Sequence, residues 1–254
     1  MRQAVGWLLL LVMVTLVTAC ALPQVHSKTR QSVLTLAPGD LEKYGIAFIT
    51  PATVTGQEEE KQTVALDFTD VLKEERPQVR CVTLPETLSA INKAGLADDY
   101  RSMFNDYQQA GIFNKQILRK IGEVTNTRYI AQLKLSGFNQ RSNDRFSIFG
   151  LRVLETHHAG IRLFLQLWDS QDGTIVWEGV DELSRAEDTF TEADVTLRKV
   201  IEEAARNMIA GIPGPASGDS TAPPLINGGQ MGSALSAAWQ VNPASDRVGI
   251  SDRN

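Results

Sequence analysis

From Arg128 to Phe138 the chain alternates strictly. Tyr129, Ala131, Leu133 and Leu135 fall on one side, with Gln132 and Lys134 on the other. Period two is the signature of a strand with one face buried, because successive side chains leave a pleated strand in opposite directions. The pattern returns at Ile161, Leu163, Leu165 and Leu167, interleaved with Arg162, Phe164, Gln166 and Trp168. Asp169-Ser-Gln-Asp-Gly173 then supplies turn chemistry, and Thr174 to Leu183 reads as the returning strand. A chain carrying these segments has to build a sheet and cover it.

The covering elements are also readable. Tyr44 to Thr50 is a short apolar run closed by Pro51, which reads as a buried strand. Glu58 to Glu75 places Val64, Phe68, Val71 and Leu72 on one helical face, with Glu58, Glu59 and Glu60 suited to the positive end of the helix dipole. Gln78 to Leu84 reads as a second strand. Helices follow over Pro85–Ala94, Asp98–Ala110 and Ile112–Val124, the last with Ile117, Leu118, Ile121 and Val124 on one face. Thr191 to Ala210 is amphipathic through Leu197, Ile201, Ala204, Ala205 and Met208. The predicted class is α/β (α+β), a single mixed sheet of about five strands with helices packed on it.

Three stretches do not fit. Residues 21 to about 40 are polar with no sustained period and read as a tether. Residues 139–159 read as an irregular insertion, polar first and then apolar through Phe146, Ile148, Phe149, Leu151, Val153 and Leu154. Residues 213–254 are rich in Pro, Gly, Ser, Ala and Asn, and such a tail is expected to be disordered.

The amino terminus carries an export signal. Arg2 precedes an apolar run from Trp7 to Val17, inside the roughly 7–15 residues of a signal core and short of the roughly 20 needed to span a bilayer. Val17-Thr18-Ala19-Cys20 closes it and resembles a bacterial lipobox. That resemblance implies cleavage before Cys20, a lipidated Cys20 and, with Ala21 rather than Asp next, an outer-membrane destination facing the periplasm. Ala19-Cys20-Ala21 also fits an ordinary secretory site that releases a soluble chain from Leu22. The resulting division is a signal over 1–19, a lipidated tether over 20–43, a folded domain over 44–211 and a tail over 212–254.

The opening strand YGIAFITP (44–51), the strand RYIAQLKLSGF (128–138), the hairpin RLFLQLWDSQDGTIVWEG (162–179) and the closing helix together resemble a known family. It comprises bacterial lipoproteins built on the TolB-amino-terminal-like α/β domain, among them the CsgG, PelC and LpoB types. The resemblance implies scaffolding, assembly or pore-forming work in the cell envelope, with no catalysis. Two expectations follow. One is an envelope interaction or assembly factor. The other is an oligomeric subunit of an export or secretion apparatus.

The search for chemistry agrees with a binding role. There is no G-x-S-x-G, Walker loop, G-x-G-x-x-G or C-x-x-C, so neither catalysis nor a cofactor is expected. A net charge of −5 gives no case for nucleic acid. His157-His158 would point to opposite strand faces and chelate one ion poorly, so no metal is expected. Cys81 lies in a strand-like run and reads as a small buried hydrophobe, with an intermolecular disulfide or a reactive thiol as the alternative. The expected partners are the membrane, through the lipid, envelope proteins, and copies of the chain itself. Contact residues are sought in the insertion at Phe146, Phe149 and Leu151, whose apolar cluster equally suits folding back on its own sheet, and at Trp168, although Trp168 and Trp177 also suit packing on a sheet face.

Overall fold

The alternating segments form the spine of a mixed seven-stranded sheet. A computed structural model describes residues 24–148, 151–189 and 196–215, with side chains described outside 142–156 and 187–189. The strands are β1 (Gln24–Val33), β2 (Ile46–Phe48), β3 (Ala52–Thr53), β4 (Cys81–Val82), β5 (Tyr129–Ile148), β6 (Leu151–Asp169) and β7 (Ile175–Thr189). The helices are α1 (Asp40–Tyr44), α2 (Glu58–Glu75), α3 (Leu84–Lys93), α4 (Ala97–Ala110), α5 (Lys115–Thr125) and α6 (Leu197–Ala210). Sheet order is β1-β7-β6-β5-β2-β4, and β3 pairs with β5 beyond the end of β2. The β2 strand is parallel to β4 and β5, while β5, β6, β7 and β1 are antiparallel neighbours.

Period two sorts the sheet into two cores. Tyr129, Leu133, Leu165 and Trp177 pack with Phe68 and Leu72 of α2 and with Ile201 and Met208 of α6. The intervening positions Ile130 and Trp168 pack with Ile91 of α3, Met103 of α4 and Leu118 and Ile121 of α5. Local chemistry fixes the helix ends. The Asn114 side chain accepts from the main-chain N–H groups of Gln116 and Ile117 at the start of α5, and Asn126 turns left-handed at its end (φ 52°). Thr83 and Glu86 form a reciprocal capping box on α3.

Segment 24–33, expected as part of a polar tether, is the edge strand β1. It pairs with β7 over its full length, from Gln24 opposite Ala186 to Val33 opposite Trp177. Its side chains are mostly exposed, so no apolar stripe marked it. It is fastened by a buried carboxylate. Ser27 Oγ and Thr29 Oγ1 each donate to Asp181 Oδ1 at 2.7 Å, and Asn207 Nδ2 of α6 donates to Oδ2 at 3.2 Å. The folded unit therefore begins well before residue 44. It also continues past Gly211, since Ile212 is buried and Arg76 donates to the carbonyls of Ile212 (3.1 Å) and Pro213 (3.2 Å). With β1 and the two-residue β3 included, the sheet exceeds the expected five strands.

Candidate functional site

Beyond the helix layers the sheet continues as a ribbon. The insertion expected to be irregular is the outer half of a β-hairpin, paired from Asn139 opposite Gly160 to Ile148 opposite Leu151. The β7 strand follows it out to Thr189 opposite Glu155. A register shift between Leu135 and Phe138 marks where β5 leaves the body. Such an irregularity bends a strand and increases its twist. The strict alternation stops there because the ribbon no longer has a helix on each face. At roughly 3.3 Å per residue, the 20 residues of β5 reach on the order of 60 Å.

The near half of the ribbon keeps one covered face. Ala159, Ile161 and Leu183 are buried toward α6, and Arg185 Nη1 meets Glu203 Oε2 of that helix at 2.7 Å. The opposite face carries a row of polar and charged groups, partly buried. Arg162 pairs with Glu182 at 2.7 Å, Gln166 Nε2 donates to Glu178 Oε2 at 3.2 Å, and burial lowers the Lys134 ammonium pKa. Phe164 and Val180 lie buried within this row. His157 is buried and His158 half-buried, as alternate positions of a strand require. Among the described residues, no group of three or more His, Cys, Asp or Glu side chains is placed to hold a metal.

Two edges of the ribbon are unpaired among the described residues: the outer edge of β1, and the edge of β5 beyond Leu135. Each presents main-chain donors and acceptors in a row, which is a template for another strand. Exposed Lys28 and Arg30 lie on β1 and restrict its edge to partners that accommodate their charge.

The expected contact residues divide. Cys20 and Phe149 lie outside the described residues. Phe146 and Leu151 take ribbon positions, Phe146 opposite Leu154 and Leu151 opposite Ile148. Trp168 requires correction. It is only 2% exposed, with Phe113 edge-on at a centroid distance of 5.1 Å and Tyr107 at 6.4 Å, so it packs the core and offers no contact surface. Sequence reasoning missed β1 as part of this region. The signal available was a run of ten residues, QVHSKTRQSV, without Pro or Gly.

No family model and no curated protein matches the chain. Among solved structures it is similar to the PelC dodecamer from Paraburkholderia phytofirmans, at 11% identity and TM-score 0.45 over 75% of this chain and 100% of that one. It is also similar to lipoprotein GNA1162 from Neisseria meningitidis, at 13% identity and TM-score 0.34 over 66% and 98% of the two chains. A third likeness is to the LpoB C-terminal domain from Salmonella enterica, at 14% identity and TM-score 0.30 over 61% and 86%. Among the described residues, no helix is long and apolar enough to cross a membrane.

Proposed function

We propose that this chain is an outer-membrane-anchored periplasmic lipoprotein that acts by binding, as an interaction or assembly factor of the cell envelope, with the ribbon as its working surface. The carrying observation is the register of β1. Only Ala21, Leu22 and Pro23 separate Cys20 from Gln24. Gln24 lies opposite Ala186, Ala186 opposite His158, and His158 opposite Arg141. An extended chain spans at most about 3.5 Å per residue, so a lipid on Cys20 stays within about 14 Å of that rung. The anchor would hold the ribbon, rather than the helix-covered body, beside the lipid. The hairpin continues past the rung through a sequence containing Phe146, Ile148, Leu151, Val153 and Leu154. These apolar residues suit a partner or the membrane interface.

The two open edges favour a second reading, an oligomeric subunit of an export apparatus. They lie on opposite sides of one sheet, so joining the β1 edge of one copy to the β5 edge of the next is a head-to-tail contact. Such contacts close into rings or grow as filaments.

Fractionation tests the anchor. Cys20→Ala should leave the outer membrane or remain unprocessed, and retention at the wild-type level in high salt would refute lipidation. The size of the detergent-purified full chain separates the two readings. A closed ring favours the conduit subunit, and a monomer the assembly factor.

A further inference from the structure

We infer that the cleft at the end of the sheet opposite the hairpin turn binds a small oxyanion, a carboxylate or phosphate group carried on a polar ligand. The cleft has a volume of about 790 Å³. Its walls are the end of α1, the segment leading into β4, the last turns of α5 with the loop into β5, and the start of the β6–β7 turn. Lys43, Arg80, Arg119 and Arg128 all line it, against a single lining carboxylate, Glu123.

The cations differ in how they are held. Arg128 is neutralised, with Nε (2.9 Å) and Nη2 (2.7 Å) both donating to Asp169 Oδ2. Among the described residues the other three form no close ion pair and their direct partners are neutral, although the Asp40 carboxylate attracts Lys43 from farther off. Arg80 donates to the carbonyls of Thr125 (3.3 Å) and Tyr44 (3.4 Å), and Arg119 donates to the carbonyl of Gln171 at 2.9 Å. Lys43 Nζ lies 4.7 Å from the centroid of the Tyr44 ring. These partners fix the charges in place without cancelling them. Several arginines elsewhere are held by carboxylates instead: Arg76 by Glu42, Arg162 by Glu182, Arg185 by Glu203 and Arg198 by Asp67. In a chain of net charge −5, three cations without a close ion pair among the described residues therefore share one polar hollow with a single lining carboxylate. Cations gathered in a concave site focus positive potential and draw an anion in. Planar guanidinium forks suit the paired oxygens of a carboxylate or phosphate.

The wall is tightly built. A Cβ on Gly122 would fall 2.3 Å from Ser170 Oγ and 2.8 Å from the Thr127 carbonyl, so α5 is pressed against the turn. A purely structural role would account for two of the cations. Arg80 caps carbonyls at the ends of α1 and α5, and Arg119 ties α5 to the turn. Lys43 is exposed in the last turn of α1 beside Tyr44, where its charge also suits the negative end of the helix dipole, so the variants below decide its role.

The test is calorimetric titration of the full chain in detergent with inorganic phosphate and with glucuronate, using glucose as the neutral control. Saturable binding is expected, about tenfold weaker in the Lys43→Gln/Arg119→Gln variant. Should that variant fold poorly, Lys43→Gln alone serves, and it should weaken binding with an unchanged Tm. Saturation by phosphate alone assigns a phosphorylated ligand, and by glucuronate alone a carboxylated one. Saturation by both assigns a site that reads charge. Absence of saturation, or equal affinity in wild type and variants, overturns the proposal.

Discussion

Trp177 governs what its surroundings tolerate. Its ring is fully buried on β7 and reaches across Gly179, where an added Cβ would lie 2.5 Å from ring atom Cη2. Gly179→Ala should therefore destabilise by about 1–3 kcal/mol through overpacking, read as a lower urea midpoint. An unchanged midpoint would show that the ring can step aside. Asp181 is the second sensitive position. Asp181→Ala strips Ser27, Thr29 and Asn207 of their shared acceptor and should cost about 1.5–3 kcal/mol. Hydrogen exchange should rise first in β1; uniform exchange across the sheet would speak against this fastening role. Neither Gly179 nor Asp181 stands out in the sequence. Trp168 was legible as a residue facing away from the Leu163–Leu165–Leu167 row. Its burial was not, because it depends on Tyr107 and Phe113, far away in the chain.

Elements were readable where they are two-faced. The Glu58–Glu75 helix appears with the expected bounds, and the alternation over 128–135 is the part of β5 that lies between both helix layers. Segments lacking a buried stripe were misread. The β1 strand is mostly exposed, and the ribbon beyond Leu135 leaves the body that gave β5 its pattern. One expected contact between α5 and its core also fails, since Val124 is 36% exposed while Leu118 and Ile121 are buried. The ribbon's independence supports a further expectation. Charged replacements at Phe146, Phe149 and Leu151 should weaken partner binding or self-association while leaving the Tm nearly unchanged. Crosslinking yield and thermal melts check this together, and a large fall in Tm would return these residues to the core.

For the molecule as a whole, burial pushes Cys81, Tyr100 and Tyr107 each up to about 12. The folded state favours their neutral forms, whereas the unfolded chain ionises them from about 9 to 10. Their contribution is complete below about pH 9 and is lost as pH climbs toward about 12. Urea midpoints should fall across that window as tyrosinate absorbance grows, and a flat midpoint to about pH 11 would contradict it. The carboxy-terminal limit of the fold is also testable. Truncation after Pro215 should leave the Tm unchanged. Truncation after Gly211 removes buried Ile212 and two acceptors of Arg76, at a cost of about 1.5–3 kcal/mol for the apolar side chain alone. Equal melting of the two truncations would place the limit earlier.

The β1 strand is the earliest described segment to be synthesised and among the last that can be placed. Ser27 and its acceptor on Asp181 are 154 positions apart, and Asn207 lies farther still. Contacts of such separation close late and slowly. Until then the outer edge of β7 is a bare template, and a second incomplete copy carries the same ten residues that fill it. Exchange of Gln24–Val33 between two copies is thus the characteristic misassembly of this topology, and refolding at high concentration should yield a swapped dimer.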